Sequence, residues 1–151
     1  MALSGLPAPV NVRQARALPP LAGSYLLLIR LAESLPLKGR FAGQVLPAGH
    51  YVYAGSARGP GGLRARVSRH LRKRKKVRWH VDQLTTRAAA VLALPFAQEN
   101  APTECGLISA LLAGDAFDIP LPGFGSSDCS TCPAHLLRWR AETCDEFTAG
   151  A

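Results

Sequence analysis

The chain has 151 residues, of which 48% are hydrophobic, so it can bury one core and we expect one folded domain. Its formal charge of +8, from 18 basic and 10 acidic residues, favours an acidic partner, and nucleic acid is the commonest partner of that kind. The sequence shows no signal-peptide pattern, its longest apolar run (residues 88–97) is too short to cross a bilayer, and its four cysteines do not suggest a secreted disulfide scaffold, so we expect a cytoplasmic protein without a membrane partner.

Turn residues and apolar periodicity divide the chain into an arm and a domain. Residues 1–20 contain four prolines and predict a loosely packed N-terminal arm, whereas 21–147 predict the domain, with 119–147 as a C-terminal extension. The predicted elements are, in chain order, a helical turn at 12–17, strands at 25–32, 37–45 and 51–56, helices at 63–73 and 79–85, a strand at 88–95, a helix at 102–113, a structured loop at 119–128, an edge strand at 135–139 and a tail helix at 141–147. We expect an α+β fold, a small and mainly antiparallel sheet flanked by helices, with its first long strand central and covered on both faces.

The strand at 51–56 and the helix that follows it carry side chains suited to anion chemistry. Tyr51 and Tyr53 are two residues apart, so both project from one face of the strand. The helix has an apolar stripe bordered by a polar one. The members of the polar stripe, spaced i, i+3, i+4 and i+7, are Arg66, Arg69, His70 and Lys73. The pattern is typical of an anion site with proton-transfer groups, and equally typical of a core strand followed by a solvated basic helix.

Basic residues are concentrated in one part of the chain. Ten of the 18 lie between Arg58 and Arg78, and no acidic residue occurs between Glu33 and Asp82. A block of one sign repels itself unless its members are solvated or meet phosphates. The expected nucleic-acid contacts are Arg58, Arg64, Arg69, Arg72, Lys73, Arg74, Lys75, Lys76, Arg78 and His80. We expect the cations at 72–76 and 78 to form a flexible phosphate clamp without sequence preference; the alternative is a solvated surface.

Glu104 is a second candidate for function. Leu107, Ile108 and Leu111 follow it at helical spacing, so Glu104 lies on the apolar stripe of its own helix. A carboxylate that points inward needs an arginine, a metal or a proton as its partner. The alternative is a first-turn glutamate that the helix dipole favours and that bends to solvent.

The order of these residues resembles the GIY-YIG endonuclease superfamily. The resemblance is carried by Gly23-Ser24-Tyr25, by Tyr53-Ala54-Gly55 on the next long strand, by an arginine and a histidine one turn apart on the following helix, and by a glutamate on a later helix. Surrounding phrases such as Arg-Trp-His-Val-Asp look like a bacterial and archaeal branch of unassigned role. The resemblance implies a small antiparallel sheet and phosphodiester hydrolysis with one divalent ion, Mg²⁺ or Mn²⁺, held by Glu104. The catalytic residues that it implies are Tyr25, Tyr53, Arg66, His70 and Glu104.

The implied roles agree with the chemistry of these residue types. The guanidinium of Arg66 is always charged and its fork suits a phosphoryl oxygen. Tyr25 or Tyr53 could orient or deprotonate a water molecule, but a phenol has a pKa of about 10, so a nearby cation would have to lower it. His70 is a candidate proton shuttle.

The C-terminal part contains a candidate zinc site. Cys129, Cys132 and His135 are spaced three apart, and with Cys144 they could supply four zinc ligands. The alternative is a reduced, half-buried loop whose cysteines fill space. We expect Cys105, which follows Glu104 on a helix, to belong to the core.

Three functions of different classes remain open from the sequence. The leading hypothesis is a metal-dependent nuclease that acts on DNA, or on RNA. The second is a nucleic-acid-binding module on the same scaffold without turnover, and the third is a zinc-stabilised interaction domain. The sequence does not indicate which nucleic-acid structure is preferred.

Overall fold

A five-stranded antiparallel sheet forms the centre of the computed structural model, which describes residues 5–97, 101–126 and 129–140. The strands are β1 (Gly23–Leu31), β2 (Leu35–Pro36), β3 (Val45–Leu46), β4 (Gly49–Ala57), β5 (Ala90–Phe96), β6 (Phe117–Asp118) and β7 (Leu136–Trp139). The helices are α1 (Gly62–Leu71), α2 (Asp82–Thr85) and α3 (Glu104–Leu112), with 3-10 turns at Gln14–Ala17 and Gly39–Phe41. The sheet order is β5-β1-β4-β7-β6, and β2 and β3 form a separate pair. The predicted α+β fold is confirmed.

Helices cover both faces of the sheet, because β1 is apolar at nearly every position. Tyr25, Leu27 and Ile29 face a core that α1 and α2 complete, whereas Leu26 belongs to a second core with Leu107 from α3. Each fully buried aliphatic side chain of this kind stabilises the fold by about 1.5–3 kcal/mol. The predicted covering of β1 on both faces is confirmed, although β4 and not β1 is the middle strand.

The strand predicted at 37–45 is wrong. Two-residue strands flank a 3-10 turn there, because Gly39 and Gly43 have φ angles of +70° and +90°, which no continuous strand accommodates. The strand predicted at 135–139 exists, but it is not an edge strand. It lies between β4 and β6, and β6 is too short to leave a periodic signal in the sequence.

Three predicted helices are shorter in the structure than in the sequence analysis. The first ends at Leu71, the second is the single turn Asp82–Thr85, and the third begins at Glu104. The third starts late because Thr103 is its N-cap: the Thr103 hydroxyl accepts a hydrogen bond of 3.0 Å from the amide of Gly106.

The N-terminal segment contacts the domain at several points. Val10 pairs with Ala93 of β5, Ala15 is fully buried, and the Arg64 side chain donates to the carbonyl of Leu18. The tail helix predicted at 141–147 lies outside the described residues. Among the helices of the described residues, none has the length and apolar character to cross a membrane.

Candidate functional site

Two tyrosines meet at one end of the β1–β4 pair. Tyr25 stands opposite Gly55 in the register, and Tyr53 lies two residues before Gly55 on the same face. Gly55 makes room for the phenol of Tyr25: a Cβ atom at position 55 would lie 2.4 Å from the Tyr25 Oη atom. A glycine is therefore required at position 55 for the Tyr25 ring to pack against β4.

Helix α1 brings His70 to the Tyr25 phenol. The first residue of the helix, Gly62, lies directly against Leu21. A Cβ atom at Gly62 would lie 2.3 Å from the carbonyl oxygen of Leu21. The amide of Leu63 donates to that same carbonyl at 2.8 Å, which fixes the start of the helix against the segment just before β1. The Nε2 atom of His70 then lies 2.8 Å from the Tyr25 Oη atom.

Asp82 completes a buried chain of polar groups behind His70. Its carboxylate accepts two hydrogen bonds from Arg69, at 2.9 and 2.8 Å, and two from the backbone amides of Arg78 and Trp79. Its Oδ1 atom lies 4.0 Å from His70 Nδ1. Burial alone would raise the pKa of Asp82, but the Arg69 hydrogen bonds and the two amides hold it at about 2. The sequence analysis missed this residue, whose one signal was its place as the first acid after the basic block.

The imidazole of His70 and the phenols of Tyr25 and Tyr53 are electrically neutral at pH 7. Burial, and next the Lys75 ammonium, lower the pKa of His70 to about 3. Burial raises the pKa of Tyr53 to about 12, with a contribution from Glu104, and raises the pKa of Tyr25 further. Arg66 lowers both phenol pKa values, yet burial outweighs it, so the nearby cation does not make a phenolate. Tyr25 therefore keeps its proton, and its hydroxyl donates a hydrogen bond to His70 Nε2 in the tautomer that carries the imidazole proton on Nδ1, the nitrogen that faces Asp82.

Arg66 is held between this cluster and an exposed tryptophan. Its guanidinium lies 4.5 Å from the ring centroid of Trp79, and the guanidinium of Arg69 lies 4.3 Å from the same ring. Such stacking orients a cation without neutralising it. The positive charge of Arg66 lowers the pKa of Tyr25, so the guanidinium lies near the phenol. The cation is thus available for an anion that approaches the tyrosines.

Glu104 reaches the tyrosines from the start of α3. The hydroxyl of Ser24 donates to the carbonyl of Pro102 at 2.5 Å, which ties the beginning of β1 to the chain just before this helix. The Glu104 side chain is 34% exposed, and its charge raises the pKa values of both Tyr25 and Tyr53. Tyr25, Tyr53, Arg66 and His70 therefore lie near one another, and Glu104 lies close enough for its charge to act on both phenols.

The basic residues divide into engaged and exposed groups. Arg69 is paired with Asp82, and the Lys75 ammonium donates to the backbone carbonyls of Arg69 and His70 at 3.1 and 2.6 Å. His80 packs its ring against Phe41. Within the basic segment 58–78, the cations whose side chains are exposed are Arg58, Arg64, Arg72, Lys73, Arg74, Lys76 and Arg78.

An open groove of about 380 Å³ continues from Trp79 away from the tyrosines. Basic side chains contribute to its lining, namely Lys38, Arg78 and Arg87. Trp79 is 38% exposed, so part of its aromatic ring is accessible at this groove. A ring beside cations is the kind of surface on which a nucleic-acid base can stack.

Three thiols and an imidazole form a second cluster next to Glu104. The ligand atoms of Cys105, Cys129, Cys132 and His135 all lie within 4.8 Å of one another. Hydrogen bonds from Thr131 and from Cys105 lower the pKa of Cys129 to about 5, while burial raises the pKa of Cys132. Cys105 packs half-buried against the second core, as expected, but its sulfur also belongs to this cluster, and Cys144 lies outside the described residues. Nothing in the spacing indicated Cys105, because it is 24 residues from the nearest partner in the cluster.

The two clusters are joined through Glu104 and His135. The Nε2 atom of His135 lies 2.9 Å from the Cys132 sulfur, and its Nδ1 atom lies 4.0 Å from Glu104 Oε2. One imidazole therefore faces the thiols with one nitrogen and the carboxylate with the other.

A family model described as "Domain of unknown function DUF123" matches residues 24–150. The chain belongs to the DUF123 family. The comparisons with curated proteins and with solved structures gave no match. The DUF123 domain begins at Ser24, so it includes the tyrosine cluster, the basic segment and the thiol cluster together.

The DUF123 domain offers two kinds of metal ligand in the same region. Three thiols and an imidazole are the donors that zinc prefers. Glu104 offers a single carboxylate, which is enough for Mg²⁺ or Mn²⁺ when water and a substrate phosphate supply the other ligands. Within the described residues, the thiol cluster is the one group of three or more potential ligands.

Proposed function

We propose that this DUF123 protein is a metal-dependent nuclease of the GIY-YIG type that hydrolyses phosphodiester bonds in DNA. The observation that carries the proposal is the contact of Tyr25 with His70 at one end of the sheet, where the charges of Arg66 and Glu104 both act on the Tyr25 phenol. A guanidinium, a proton relay and a carboxylate are the groups that this reaction needs: one for the phosphate, one for the nucleophilic water and one for a cation. The order of the motifs in the sequence supports the same class.

Arg66 binds a non-bridging oxygen of the scissile phosphate in this account. Its fork is already oriented by Trp79 and already charged, so it stabilises the extra negative charge of the transition state without reorganising. A divalent ion held by Glu104 would polarise the same phosphate and stabilise the leaving oxygen.

Tyr25 orients the attacking water and passes on its proton. As the water oxygen forms its bond to phosphorus, the water proton moves to Tyr25 Oη and the phenol proton moves to His70 Nε2, 2.8 Å away. The bond between phosphorus and the leaving oxygen breaks, and the leaving oxygen takes a proton from solvent. No phenolate accumulates in this route, which agrees with the raised pKa values of both tyrosines.

Asp82 raises the pKa of His70, which burial lowers, and so makes the imidazole a better proton acceptor. In the free protein Lys75, Arg69 and Arg66 lower the pKa of His70, and only Asp82 raises it. A phosphate bound to Arg66 cancels part of that positive charge, so the pKa of His70 rises when substrate arrives. Asp82 then stabilises the imidazolium that forms.

The exposed cations and the groove beside Trp79 would hold the rest of the substrate. Contacts of this kind read the phosphate backbone and give affinity without sequence preference. A base stacked on Trp79 would favour nucleic acid with an unpaired or splayed nucleotide near the scissile bond.

Cleavage assays with a matched pair of variants test the proposal. Wild type, Glu104→Ala and Glu33→Ala are incubated with Mn²⁺ or Mg²⁺ on branched, nicked and single-stranded DNA. Glu33 is an exposed glutamate outside the site, so its variant controls for the loss of one negative charge. We expect cleavage by wild type and Glu33→Ala and a loss of about 10³-fold in Glu104→Ala, since the ion supplies several kcal/mol.

Two results would contradict the nuclease. Cleavage that survives Glu104→Ala would point to another site or to a contaminant. Tight binding of DNA by wild type with no cleavage under any of these conditions would favour the non-catalytic binding module, which the neutral, buried state of Tyr25 and His70 also permits.

A further inference from the structure

We propose that Cys105, Cys129, Cys132 and His135 bind one structural zinc ion, and that this centre positions Glu104 through His135. The first half stands on the cluster itself. The second half rests on the proposed function, because it concerns the carboxylate that would hold the divalent ion of the nuclease.

The geometry of the four ligand atoms fits a single ion. The sulfur of Cys105 lies 3.0 Å from that of Cys129 and 2.8 Å from that of Cys132, and the latter two sulfurs are 3.3 Å apart. All three cysteines are free thiols. Zinc–sulfur bonds of about 2.3 Å set neighbouring sulfurs about 3.8 Å apart in a tetrahedron, so the sulfurs need to separate by no more than about 1 Å.

The donor set and its burial favour a closed structural site. Three cysteines and one histidine fill a tetrahedral shell, which leaves no position for a substrate or a catalytic water. Cys132 and His135 are buried, and Cys105 and Cys129 are half-buried, so the centre lies just beneath the surface. Soft thiolates select zinc over Mg²⁺ and Mn²⁺, and the zinc centre is therefore distinct from the divalent ion at Glu104.

The proposed ion joins parts of the chain that are far apart in sequence. Cys105 belongs to the first turn of α3, Cys129 and Cys132 to the loop that follows β6, and His135 to the residue before β7. The same loop packs closely against Tyr53: a Cβ atom at Gly125 would lie 2.8 Å from the ring of Tyr53. Zinc would thus fasten to α3 the loop that covers Tyr53.

His135 transmits the constraint to Glu104. When Nε2 is bound to the metal, the imidazole proton resides on Nδ1. That nitrogen lies 4.0 Å from Glu104 Oε2, and metal-bound histidines characteristically donate their second N–H to a carboxylate. The hydrogen bond would engage one carboxylate oxygen and leave the other for the divalent ion.

Metal analysis of cysteine variants tests the ligand assignment. We expect one zinc per chain in purified wild type, loss of zinc in Cys105→Ser and Cys132→Ser, and full zinc in Cys144→Ser, which changes the remaining cysteine. Zinc retained in Cys105→Ser but lost in Cys144→Ser would overturn the assignment of Cys105. A disulfide within the cluster and no metal in wild type would overturn the site.

Cobalt substitution keeps the test valid if the serine variants fail to fold. Wild type reconstituted with Co²⁺ should show the intense visible bands of a tetrahedral ion and the charge-transfer bands of bound thiolates. A weak octahedral spectrum, or none, would contradict the zinc centre without reference to any variant or to DNA cleavage.

His135→Cys separates positioning from folding. The variant keeps four soft ligands, so we expect full zinc content and the cobalt spectrum of a four-thiolate site, but it has no Nδ1–H for Glu104. We expect cleavage to fall about 10- to 100-fold and the Mn²⁺ concentration for half-maximal activity to rise, with DNA affinity unchanged. Mn²⁺ binding measured by the electron paramagnetic resonance of the free ion gives a second readout that needs no turnover.

The outcomes distinguish the two proposals. Wild type that contains zinc but does not cleave DNA would contradict the nuclease and leave the zinc centre intact. Normal cleavage and unchanged Mn²⁺ dependence in a zinc-loaded His135→Cys protein would contradict the positioning role alone.

Discussion

The clusters on the two sides of Glu104 are held in place by different means. The tyrosine cluster is built on β1, β4 and α1, and packing fixes its members: Tyr25 is 2% exposed and His70 is 1% exposed. The thiol cluster joins a helix to a loop, and its own side chains are its closest contacts. We infer that a metal ion holds the thiol cluster in place, as the hydrophobic core holds the tyrosine cluster in place. The two regions should therefore respond to different perturbations.

The largest expected effect is the acid sensitivity that His70 gives to the tyrosine cluster. Its pKa is about 3 in the folded protein and 6.5 ordinarily, so the unfolded chain binds more protons between these values. Stability is fully present above pH 6.5 and falls by several kcal/mol as the pH drops toward 3. Urea unfolding of chelator-treated protein at several pH values should show this slope in wild type and a flatter one in His70→Asn. Parallel slopes would mean that His70 is not buried as a neutral group.

The second prediction concerns the packing of the tyrosine cluster. Gly55→Ala places a methyl group 2.4 Å from Tyr25 Oη, so we expect a loss of about 3 kcal/mol in the free energy of unfolding. Gly114→Ala is the matched control, because no atom lies within 4 Å of its added Cβ. If the comparison is right, a folded Gly55→Ala protein still contains zinc. An unchanged stability in Gly55→Ala would contradict the close approach of the phenol.

Removal of zinc should perturb the other region. A strong chelator is expected to raise the hydrogen-exchange rates of amides in the loop at 119–135 and in β7 by at least about tenfold, since a structural ion contributes directly to folding. Amides of β1 and β4 should keep their protection, because the core covers them. Uniform loss of protection through the sheet would show that the two regions do not differ in the way described.

The smallest expected effect concerns the salt dependence of DNA binding by the basic segment. It distinguishes the exposed Lys73 and Lys76 from Lys75, whose ammonium is bound to backbone carbonyls. If about four cations meet phosphates, binding to DNA should fall with salt at a log–log slope of roughly −3 to −4. Replacing the exposed Lys73 and Lys76 by alanine should reduce that slope by about 2, and weaken all sequences alike.

Lys75→Ala is the control within the segment. Its ammonium donates to two carbonyls at the end of α1, and burial lowers its pKa to about 8, so we expect a cost of about 1 kcal/mol in stability and little change in the slope. A slope reduced by about 1 in Lys75→Ala, half the reduction in the exposed pair, would mean that all three lysines contact phosphate.

The parts of the molecule that the sequence predicted are those with local periodicity. β1 follows from a nearly continuous apolar run, β4 from a run of β-forming residues and α1 from an i, i+4 stripe, and the short motifs around Tyr25, Tyr53 and Arg66 fall on them. The strand at 37–45 was wrong because the left-handed backbone at Gly39 and Gly43 leaves no mark in hydrophobic periodicity.

The residues that the sequence missed act across long separations. Asp82 lies 12 residues from His70 and Cys105 lies 27 residues from Cys132, and neither spacing corresponds to a local motif. Their partners are set by how α1 and α3 pack on opposite faces of the sheet. The raised pKa values of the two tyrosines were also beyond the sequence, since burial, their largest cause, is a property of the fold and not of the neighbouring residues.

The proposed nuclease requires that Tyr25 and Glu104 act as parts of one hydrolytic site. A double-mutant cycle on single-turnover DNA cleavage measures this directly, with wild type, Tyr25→Phe, Glu104→Gln and the double variant. We expect losses of about 10²-fold and 10³-fold for the single variants and a loss near 10³-fold for the double variant, because residues that work as a unit are not additive. A double variant slower than wild type by the product of the two losses, about 10⁵-fold, would show that the two residues act independently and would contradict the account.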